Sequence, residues 1–237
     1  MQIDFAIRDV GAFGRGSRGI IRIGLFSSLA TGFVANLIER FIADHREVQL
    51  EFLEGDHLEL IPAIRRRHLD IAFLLEPSEV ENFSSLRLWT EQIYVVLPEA
   101  DKLASKPEIS WDDIRRRRFI VTEAAPGREI EAFLFRNLSA LGLRPDIQRD
   151  RVSRQTLMQL VAFGRGITLA SESIVEAQFA GVVYRRLAGF SLPFCGIWSD
   201  GNDNPALRRF LSMASILSHA QASAEVHASD SAHQVSE

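Results

Sequence analysis

The stretch VQLEFLEGDHLELIPAIRRRHLDIAFLL, residues 48–75, contains the alternation that decides the fold. Its first part, residues 48–53, alternates between apolar and polar side chains, which is typical of a β-strand. A helical segment from about residue 58 to 67 follows, and residues 69–75 then form a nearly continuous apolar run, as in strands covered on both faces. A strand, a helix and a second strand in this order predict a βαβ unit with parallel strands.

Pro62 conflicts with the helical segment of this stretch. A proline in a helix interior costs about 3 kcal/mol, because it lacks an N–H group and its ring clashes with the preceding turn. We therefore expect the helix to begin near Glu59 or to kink at Pro62.

The same alternation continues on both sides of this stretch. Upstream, residues 20–26 predict a buried strand, and the apolar side chains of residues 33–42 form two rows on one helix face. Downstream, the predicted strands are 92–98, 119–122, 146–152, 166–170, 182–187 and 192–199, and the predicted helices are 128–141, 154–163, 173–179 and one that starts at Asn204-Pro205. The alternating strands and helices form two sets, each shorter than a full doubly wound domain. They therefore predict an α/β protein with two Rossmann-like lobes.

The long strands near 86–97 and 192–199 are the predicted crossings between the two lobes. They divide the chain so that residues 20–91 and 196–218 form lobe 1 and residues 92–195 form lobe 2. The two lobes are expected to enclose a cleft.

The two ends of the chain differ from the lobes. A helical stripe in residues 1–13 is followed by a glycine-rich joint up to residue 19, and so short a helix is marginal in water. We interpret residues 1–19 as the end of a longer helix or as a segment that packs on a partner. Residues 219–237 contain no Lys or Arg and are rich in Ala, Ser and His, which predicts a disordered tail. The helical stripe of residues 1–13 consists of Ile3, Ala6, Ile7 and Val10.

The composition argues against several classes of protein. A net charge of −4 disfavours a DNA- or membrane-binding surface spread over the whole chain. Cys195 is the only cysteine, so it allows no internal disulfide and no Cys-rich metal site. No apolar run approaches the roughly 18 residues of a transmembrane helix, and the first residues lack a signal-peptide core. We therefore expect a cytoplasmic protein without cofactor or metal.

Polar side chains follow four of the predicted strands. Ligands of open α/β sheets bind beyond the carboxyl ends of the strands, where helices begin. A helix start with exposed N–H groups and a neighbouring hydroxyl binds anions, so a small carboxylate-bearing molecule is the simplest ligand. The candidate ligand-binding residues are Ser27, Ser28, Asp56, His57, Thr122, Arg128 and Ser153.

Each of these candidates also has a simpler interpretation. Ser28 and Ser153 can act as N-caps, each worth about 1 kcal/mol, and capping is compatible with a ligand on the backbone N–H groups. His57 has no partner at the spacing of a metal site, so it is either a polar cleft residue or a plain loop histidine. Arg128 either binds a ligand carboxylate with its guanidinium fork or is an exposed arginine in the first turn of its helix.

Signatures of enzymes and of nucleic-acid binding are weak. The GRG at 164–166 lacks the rest of a dinucleotide fingerprint, and neither a GxSxG elbow nor a P-loop is present. The arginine runs 65–67 and 115–118 both fall where a predicted helix ends, where cations suit the helix dipole. We interpret both runs as solvated helix ends, and we expect no catalytic residues.

Five stretches in this order resemble the effector-binding domain of LysR-type transcriptional regulators. The resemblance implies the periplasmic-binding-protein-like (type 2) architecture, two lobes joined by two crossing strands. It matches Ser27, Ser28 and His57 to effector-contacting turns of the first lobe, and Thr122 and Arg128 to those of the second. It also implies a small-molecule effector, often an organic acid, bound between the lobes. The stretches are residues 21–33, 48–73, 88–104, 154–173 and 202–214.

The resemblance extends to assembly. Family members form homodimers through this domain and tetramers when full length, and they bind DNA through an N-terminal winged helix-turn-helix. In the family that part precedes the effector-binding domain, so we expect DNA binding only in the full-length protein. The apolar face of residues 33–42 is the expected dimer contact.

Two other functions stay open on the sequence alone. A solute-binding protein of the same fold would need export, against which the missing signal peptide counts. A transferase or hydro-lyase on this fold would use Asp56, His57 or Glu123 as acid and base groups, although their spacing does not demand it.

Overall fold

A computed structural model of the chain describes residues 18–26, 32–76, 83–175 and 177–234. These residues divide into two compact units. Unit 1 comprises the described residues of 1–25, 31–89 and 193–237, and unit 2 comprises those of 26–30 and 90–192. The predicted helix in residues 1–13 lies outside the described residues, as do Ser27 and Ser28.

Unit 1 is built around three parallel strands. β1 (Gly19–Leu25) lies between β2 (Val48–Glu54) and β3 (Ile71–Leu75) and pairs with both. α1 (Gly32–Asp44) precedes β2, and α2 (His57–Arg65) connects β2 to β3. The stretch 48–75 therefore forms the parallel βαβ unit that its pattern predicts.

The start of α2 differs from the sequence expectation. The helix begins at His57 rather than near Glu59, and Pro62 lies inside it. Asp56 is the N-cap in a capping box: its Oδ1 accepts the N–H of Glu59 at 3.1 Å, and Glu59 Oε2 accepts the N–H of Asp56 at 3.1 Å. This reciprocal pair stabilises the first turn, and Pro62 removes only one backbone hydrogen bond from the turn that follows.

Two long strands belong to both units. β4 (Phe83–Pro98) passes from unit 1 to unit 2 after Trp89, and β9 (Val182–Ser199) returns to unit 1 at Pro193. The sequence predicts two separate strands where β9 is continuous. Gly189 adopts a φ of +76° within β9, and this local irregularity does not end the strand. In the sequence, the same glycine looks like the end of one strand and the start of another.

The last helix, α7 (Pro205–Gln234), starts as predicted, since Asn204 Oδ1 accepts the N–H of Ala206 at 3.0 Å. It continues well past residue 219, where the sequence predicts a disordered tail. The sequence has neither Gly nor Pro after Pro205, and its many alanines are the best helix formers. No helix among the described residues, α7 included, is long and apolar enough to cross a membrane.

Aromatic rings fill the core of unit 1. The ring of Trp89 is stacked between Phe33, at 4.9 Å between centroids, and Phe194, at 4.8 Å. Phe210 of α7 meets Phe41 of α1 edge to face at 4.9 Å. These contacts join β4, β9, α1 and α7, so the helices and the returning strand share one core.

Unit 2 contains a second parallel pair. β6 (Arg118–Thr122) and β7 (Asp146–Asp150) are connected by α4 (Gly127–Ala140), and α5 (Arg154–Ala162) follows β7. β8 (Thr168–Ser171) pairs antiparallel with β4. The shorter elements are a 3₁₀ turn at Lys102–Ser105, β5 (Glu108–Ile109), α3 (Trp111–Ile114) and α6 (Glu172–Val175).

The arginine run 115–118 begins where α3 ends, as predicted, and three of its members contact carboxylates. Arg117 binds Asp101, and the Arg117 guanidinium holds the pKa of that carboxyl below its usual range. Arg118 lies 3.0 Å from Asp146. Arg115 lies 3.3 Å from Asp112. Two of these ion pairs join neighbouring elements and one lies at the end of α3, which favours the interpretation of this run as a helix end over a nucleic-acid surface.

We predict that Phe210→Ala lowers the free energy of unfolding of unit 1 by about 3–5 kcal/mol, because Phe210 is fully buried and its removal leaves a cavity. Urea titration followed by circular dichroism measures this loss. Ile216→Ala on the same helix is the matched control, since Ile216 is 69% exposed and its truncation should cost no more than about 0.5 kcal/mol. Equal effects of the two substitutions would contradict this account of the core.

Candidate functional site

The carboxyl ends of β1 and β2 meet at one edge of unit 1. Leu25 and Glu54 are opposite each other in the parallel register, and the N–H of Gly55 donates to the carbonyl of Leu25 at 3.0 Å. Asp56 and His57 follow directly. Two predicted site residues of unit 1 therefore lie at the carboxyl edge of its sheet, where α/β proteins bind ligands.

His57 is the first residue of α2 and reaches to the end of a different strand. Its Nε2 lies 3.1 Å from the carbonyl oxygen of Leu75, the last residue of β3. Because a carbonyl only accepts, Nε2 carries the proton, and Nδ1 is the acceptor nitrogen of the neutral ring. The half-buried ring therefore connects the end of β2 with the end of β3, the two strands on either side of β1. His57 therefore lies at a helix start rather than in a loop, and its contact with a ligand stays a prediction.

Asp56 has a structural task at the same edge. The residue is 3% exposed, and its Oδ1 caps the first turn of α2. A buried carboxylate does not attract an anionic ligand, but its cap orients α2 so that the helix starts at the carboxyl edge. Contact between Asp56 and a ligand stays a prediction.

A second carboxyl edge lies in unit 2. Thr122 and Asp150, the last residues of β6 and β7, are opposite each other, and the N–H of Glu123 donates to the carbonyl of Asp150 at 3.1 Å. α4 and α5 begin just after these strands. Thr122, Arg128 and Ser153 are therefore brought to the same edge of this strand pair.

The start of α4 lies directly against the end of β6. A Cβ atom on Gly127 would come 1.7 Å from the carbonyl oxygen of Thr122, so only glycine fits at this position. Thr122 is 7% exposed, and its hydroxyl donates to the carbonyl of Ala124 at 2.8 Å. Its single proton is thus used within the loop, and its oxygen is left to accept. The sequence reasoning missed Gly127, although a Pro-Gly pair just before a helix was a usable signal.

Ser153 and Arg128 both lie in exposed positions at helix starts. Ser153 is the N-cap of α5, because its Oγ accepts the N–H of Thr156 at 3.3 Å, and capping is thereby confirmed. Oγ also lies 3.2 Å from the Thr156 hydroxyl, so its own proton has a local acceptor. Arg128 is exposed in the first turn of α4.

The five predicted site residues that the structure describes thus fall into two groups, one in each unit. Unit 1 places Asp56 and His57 at its carboxyl edge, and unit 2 places Thr122, Arg128 and Ser153 at its own. Within the part of the chain that the structure describes, no group of His, Cys, Asp and Glu side chains is arranged to hold a metal ion.

Comparison with known proteins identifies a family. Residues 14–215 match the family model described as the LysR substrate binding domain. The HTH-type transcriptional regulator XapR of Escherichia coli (strain K12) is 28% identical over 175 residues, which are 73% of this chain and 59% of XapR. The transcriptional dual regulator GltC of Bacillus subtilis (strain 168) is 27% identical over 177 residues, 72% of this chain and 57% of GltC. The chain thus spans less than two thirds of the length of these relatives.

Solved structures show the same fold. The BenM effector binding domain with its effector benzoate superposes with a TM-score of 0.75 at 19% identity, covering 86% of this chain and 94% of that one. The effector binding domain of QuiR in complex with shikimate gives a TM-score of 0.72 at 19% identity, covering 85% and 98%. The periplasmic-binding-protein-like type 2 fold predicted from the sequence is confirmed.

We predict that Gly127→Ala lowers the free energy of unfolding by about 3 kcal/mol, the upper end for overpacked sites, because the new methyl group must displace backbone. Urea titration measures the loss. Gly201→Ala is the control, since its Cβ would meet no atom closer than 3.6 Å. If Gly127→Ala is as stable as Gly201→Ala, α4 does not start against β6 as described.

Proposed function

The chain belongs to the family of LysR substrate-binding domains, and from this premise we propose that it is the effector-binding domain of a transcription regulator. The relatives XapR and GltC are transcriptional regulators, which supports the proposal. In this proposal the domain acts in the cytoplasm and binds a small molecule, and DNA binding belongs to the full-length regulator. Catalysis is not part of this role.

The observation that carries the proposal is the set of helix starts at the carboxyl edges of both units. α2, α4 and α5 each begin at such an edge, and each start places backbone N–H groups there. A helix start carries about half a positive charge, which favours a negatively charged ligand group. We propose that both edges contribute to effector binding.

We further propose that the effector is a small carboxylate. Benzoate and shikimate, the molecules bound by BenM and QuiR, are both carboxylates, which supports this class. In this chain the backbone N–H groups and the exposed Arg128 supply the donors. His57 donates to a carboxylate through Nδ1 only when the ring carries a second proton, because Nε2 is directed to Leu75.

Regulation requires more than binding. An effector changes the activity of the regulator only by as much as its affinities for two states of the protein differ. β4 and β9 connect the two units, so we propose that effector binding is transmitted through these strands.

We predict that at least one small carboxylate stabilises the protein in a thermal-shift screen that includes benzoate and shikimate. A ligand at 100 times its dissociation constant adds about 2.7 kcal/mol to the free energy of unfolding. Ser28→Ala and Arg128→Gln should each reduce this stabilisation, because each removes a hydrogen-bond donor that we assign to the ligand carboxylate.

Ser212→Ala is the control variant, because its hydroxyl donates to a carbonyl within α7 at 3.0 Å, away from both carboxyl edges. It should bind any identified carboxylate like the unchanged protein. The assignment of the site is wrong if no carboxylate stabilises the protein, or if both site variants retain the full shift.

The two other candidate functions have less support. The type 2 fold also suits a solute-binding protein, but the named relatives are regulators. For an enzyme, Asp56 next to His57 is already engaged as a buried cap, and Glu123 belongs to unit 2. Loss of a measurable turnover in a His57→Gln variant would be needed to favour catalysis.

We also propose that the domain forms a homodimer through α1 and β2. Most apolar residues of 33–42 pack into the core of unit 1, so the surface is smaller than the sequence pattern suggests. Ile42 remains 50% exposed, and on β2 Phe52 and Leu53 are each 46% exposed. β2 is also an edge strand, whose outer backbone groups are available to a second chain.

We predict that light scattering at tens of micromolar gives the mass of a dimer, and that Ile42→Glu combined with Phe52→Glu gives that of a monomer. Placing two charges in an apolar contact costs several kcal/mol, since buried charges lose their hydration. Phe163→Glu is the control, because Phe163 is 73% exposed and belongs to unit 2. A monomeric mass for the unchanged protein would contradict the proposal.

A further inference from the structure

A buried carboxylate anchors a chain of hydroxyl groups in unit 2. Glu91 of β4 is 5% exposed, and its Oε2 accepts both the N–H of Ser173 at 3.2 Å and the Ser173 hydroxyl at 3.0 Å. The Oγ atoms of Ser173 and Ser171 lie 3.1 Å apart. Ser173 belongs to α6 and Ser171 ends β8, so the chain of contacts runs from β4 through α6 to the end of β8. All three residues belong to unit 2.

The carboxylate fixes the direction of the hydrogen bonds in this chain. A carboxylate only accepts, and a hydroxyl group has one proton to donate. The Ser173 proton is directed to Glu91, so the proton of Ser171 forms the contact between the two hydroxyls. The oxygen of Ser171 is then left with its acceptor lone pairs, and no side-chain donor of the described residues is directed to it.

Ser171 lies at the same edge of unit 2 as Thr122. Ile167, just before β8, forms a parallel bridge with Phe119 of β6. β8 therefore runs parallel to β6, and the last residues of these strands, Ser171 and Thr122, both lie at the carboxyl edge. The hydroxyl of Thr122 has the same polarity as that of Ser171, because its proton is donated to the carbonyl of Ala124. This edge thus presents two hydroxyl oxygens that accept.

Given the proposed function, on which this inference rests, we propose that the effector is a hydroxy acid. Its hydroxyl group donates to the oxygens of Ser171 and Thr122, while its carboxylate binds the helix-start N–H groups and Arg128. The two parts of such a molecule suit different partners at the edge. Donors and positive helix ends attract a carboxylate, whereas an oxygen that only accepts repels it and requires a donor.

The same chain discriminates against acids that carry only an acceptor at this position. An ether oxygen binds at Ser171 only if the Ser171 proton turns outward, and the hydrogen bond to Ser173 is then lost. Ser173 is 5% exposed, so water has little access to replace that bond, and an unmade buried hydrogen bond is costly. Glu91 and Ser173 are therefore positioning residues, because they determine where Ser171 directs its proton.

Matched sets of acids test this inference. Benzoate, its three hydroxy derivatives and the corresponding methyl ethers are compared by isothermal titration calorimetry, and cyclohexanecarboxylate with its hydroxy and methoxy derivatives forms an aliphatic series. A methyl ether keeps the oxygen acceptor and removes the donor. We expect at least one hydroxy acid to bind about tenfold more tightly than both its ether and the unsubstituted acid, since only the hydroxy acid gains a hydrogen bond.

Ser173→Ala separates this role from a merely structural one. Without the Ser173 hydroxyl, the Ser171 proton loses its inner acceptor and turns outward, so the ratio of the dissociation constants of ether and hydroxy acid should fall several-fold. A loss of stability alone would weaken the binding of both acids equally and leave this ratio unchanged. Ser171→Ala removes the acceptor itself and should also lower the ratio. Ser105→Ala is the control in unit 2, because its hydroxyl donates to the carbonyl of Lys102 at 3.1 Å, beyond the opposite end of β4.

The possible failures are distinguishable. If no carboxylate in these series or in the thermal-shift screen binds, the proposal of a carboxylate effector fails, and the hydroxy-acid inference fails with it. If acids bind but no hydroxy acid binds more tightly than its ether and the unsubstituted acid, only the hydroxy-acid inference is overturned. A preference for hydroxy acids that persists unchanged in both Ser171→Ala and Ser173→Ala would also overturn it, since the chain of hydroxyls would then not be its cause.

Discussion

The pairing of β1 with both β2 and β3 is the constraint on which the rest of unit 1 depends. The register aligns Gly19 with Val48 and Leu25 with Glu54, so all three strands start at one edge and end at the other. Because a parallel connection must return along the sheet, the helices α1 and α2 begin at the carboxyl edge. The positions of the helix starts in this unit follow from that geometry.

The three helix starts at these edges are positioned in different ways. Asp56 caps α2 in a buried capping box, Ser153 caps α5 from an exposed position, and α4 instead lies against the end of β6 through Gly127. Free backbone N–H groups at a helix start must find partners. A cap satisfies one or two of them and leaves the others to water or to a ligand, so capping and anion binding do not compete for the same groups.

The sequence predicted the architecture well, because hydrophobic periodicity reports burial directly. It placed Asp56, His57, Thr122 and Ser153 at strand ends, which depends only on the order of elements. The sequence could not predict the contact of His57 with Leu75, because that contact joins the start of α2 to the end of β3. Gly127 was missed because its role depends on one carbonyl of β6, and the continuous β9 was missed because Gly189 resembles a strand break. In α7, local helix propensity outweighed the polar composition that suggested disorder.

The two edges of the unit 1 sheet differ in the chemical groups that lie there. At the carboxyl edge, helices begin, and their positive ends suit a small anion. At the amino edge, α1 ends and α7 begins beside Gly19, so apolar surface and two arginines border the point where the chain enters. α1 runs from the carboxyl edge, where Phe33 stacks on Trp89, to the amino edge, where Phe41 packs against Phe210 of α7. α1 thus joins the packing at the two edges of this unit.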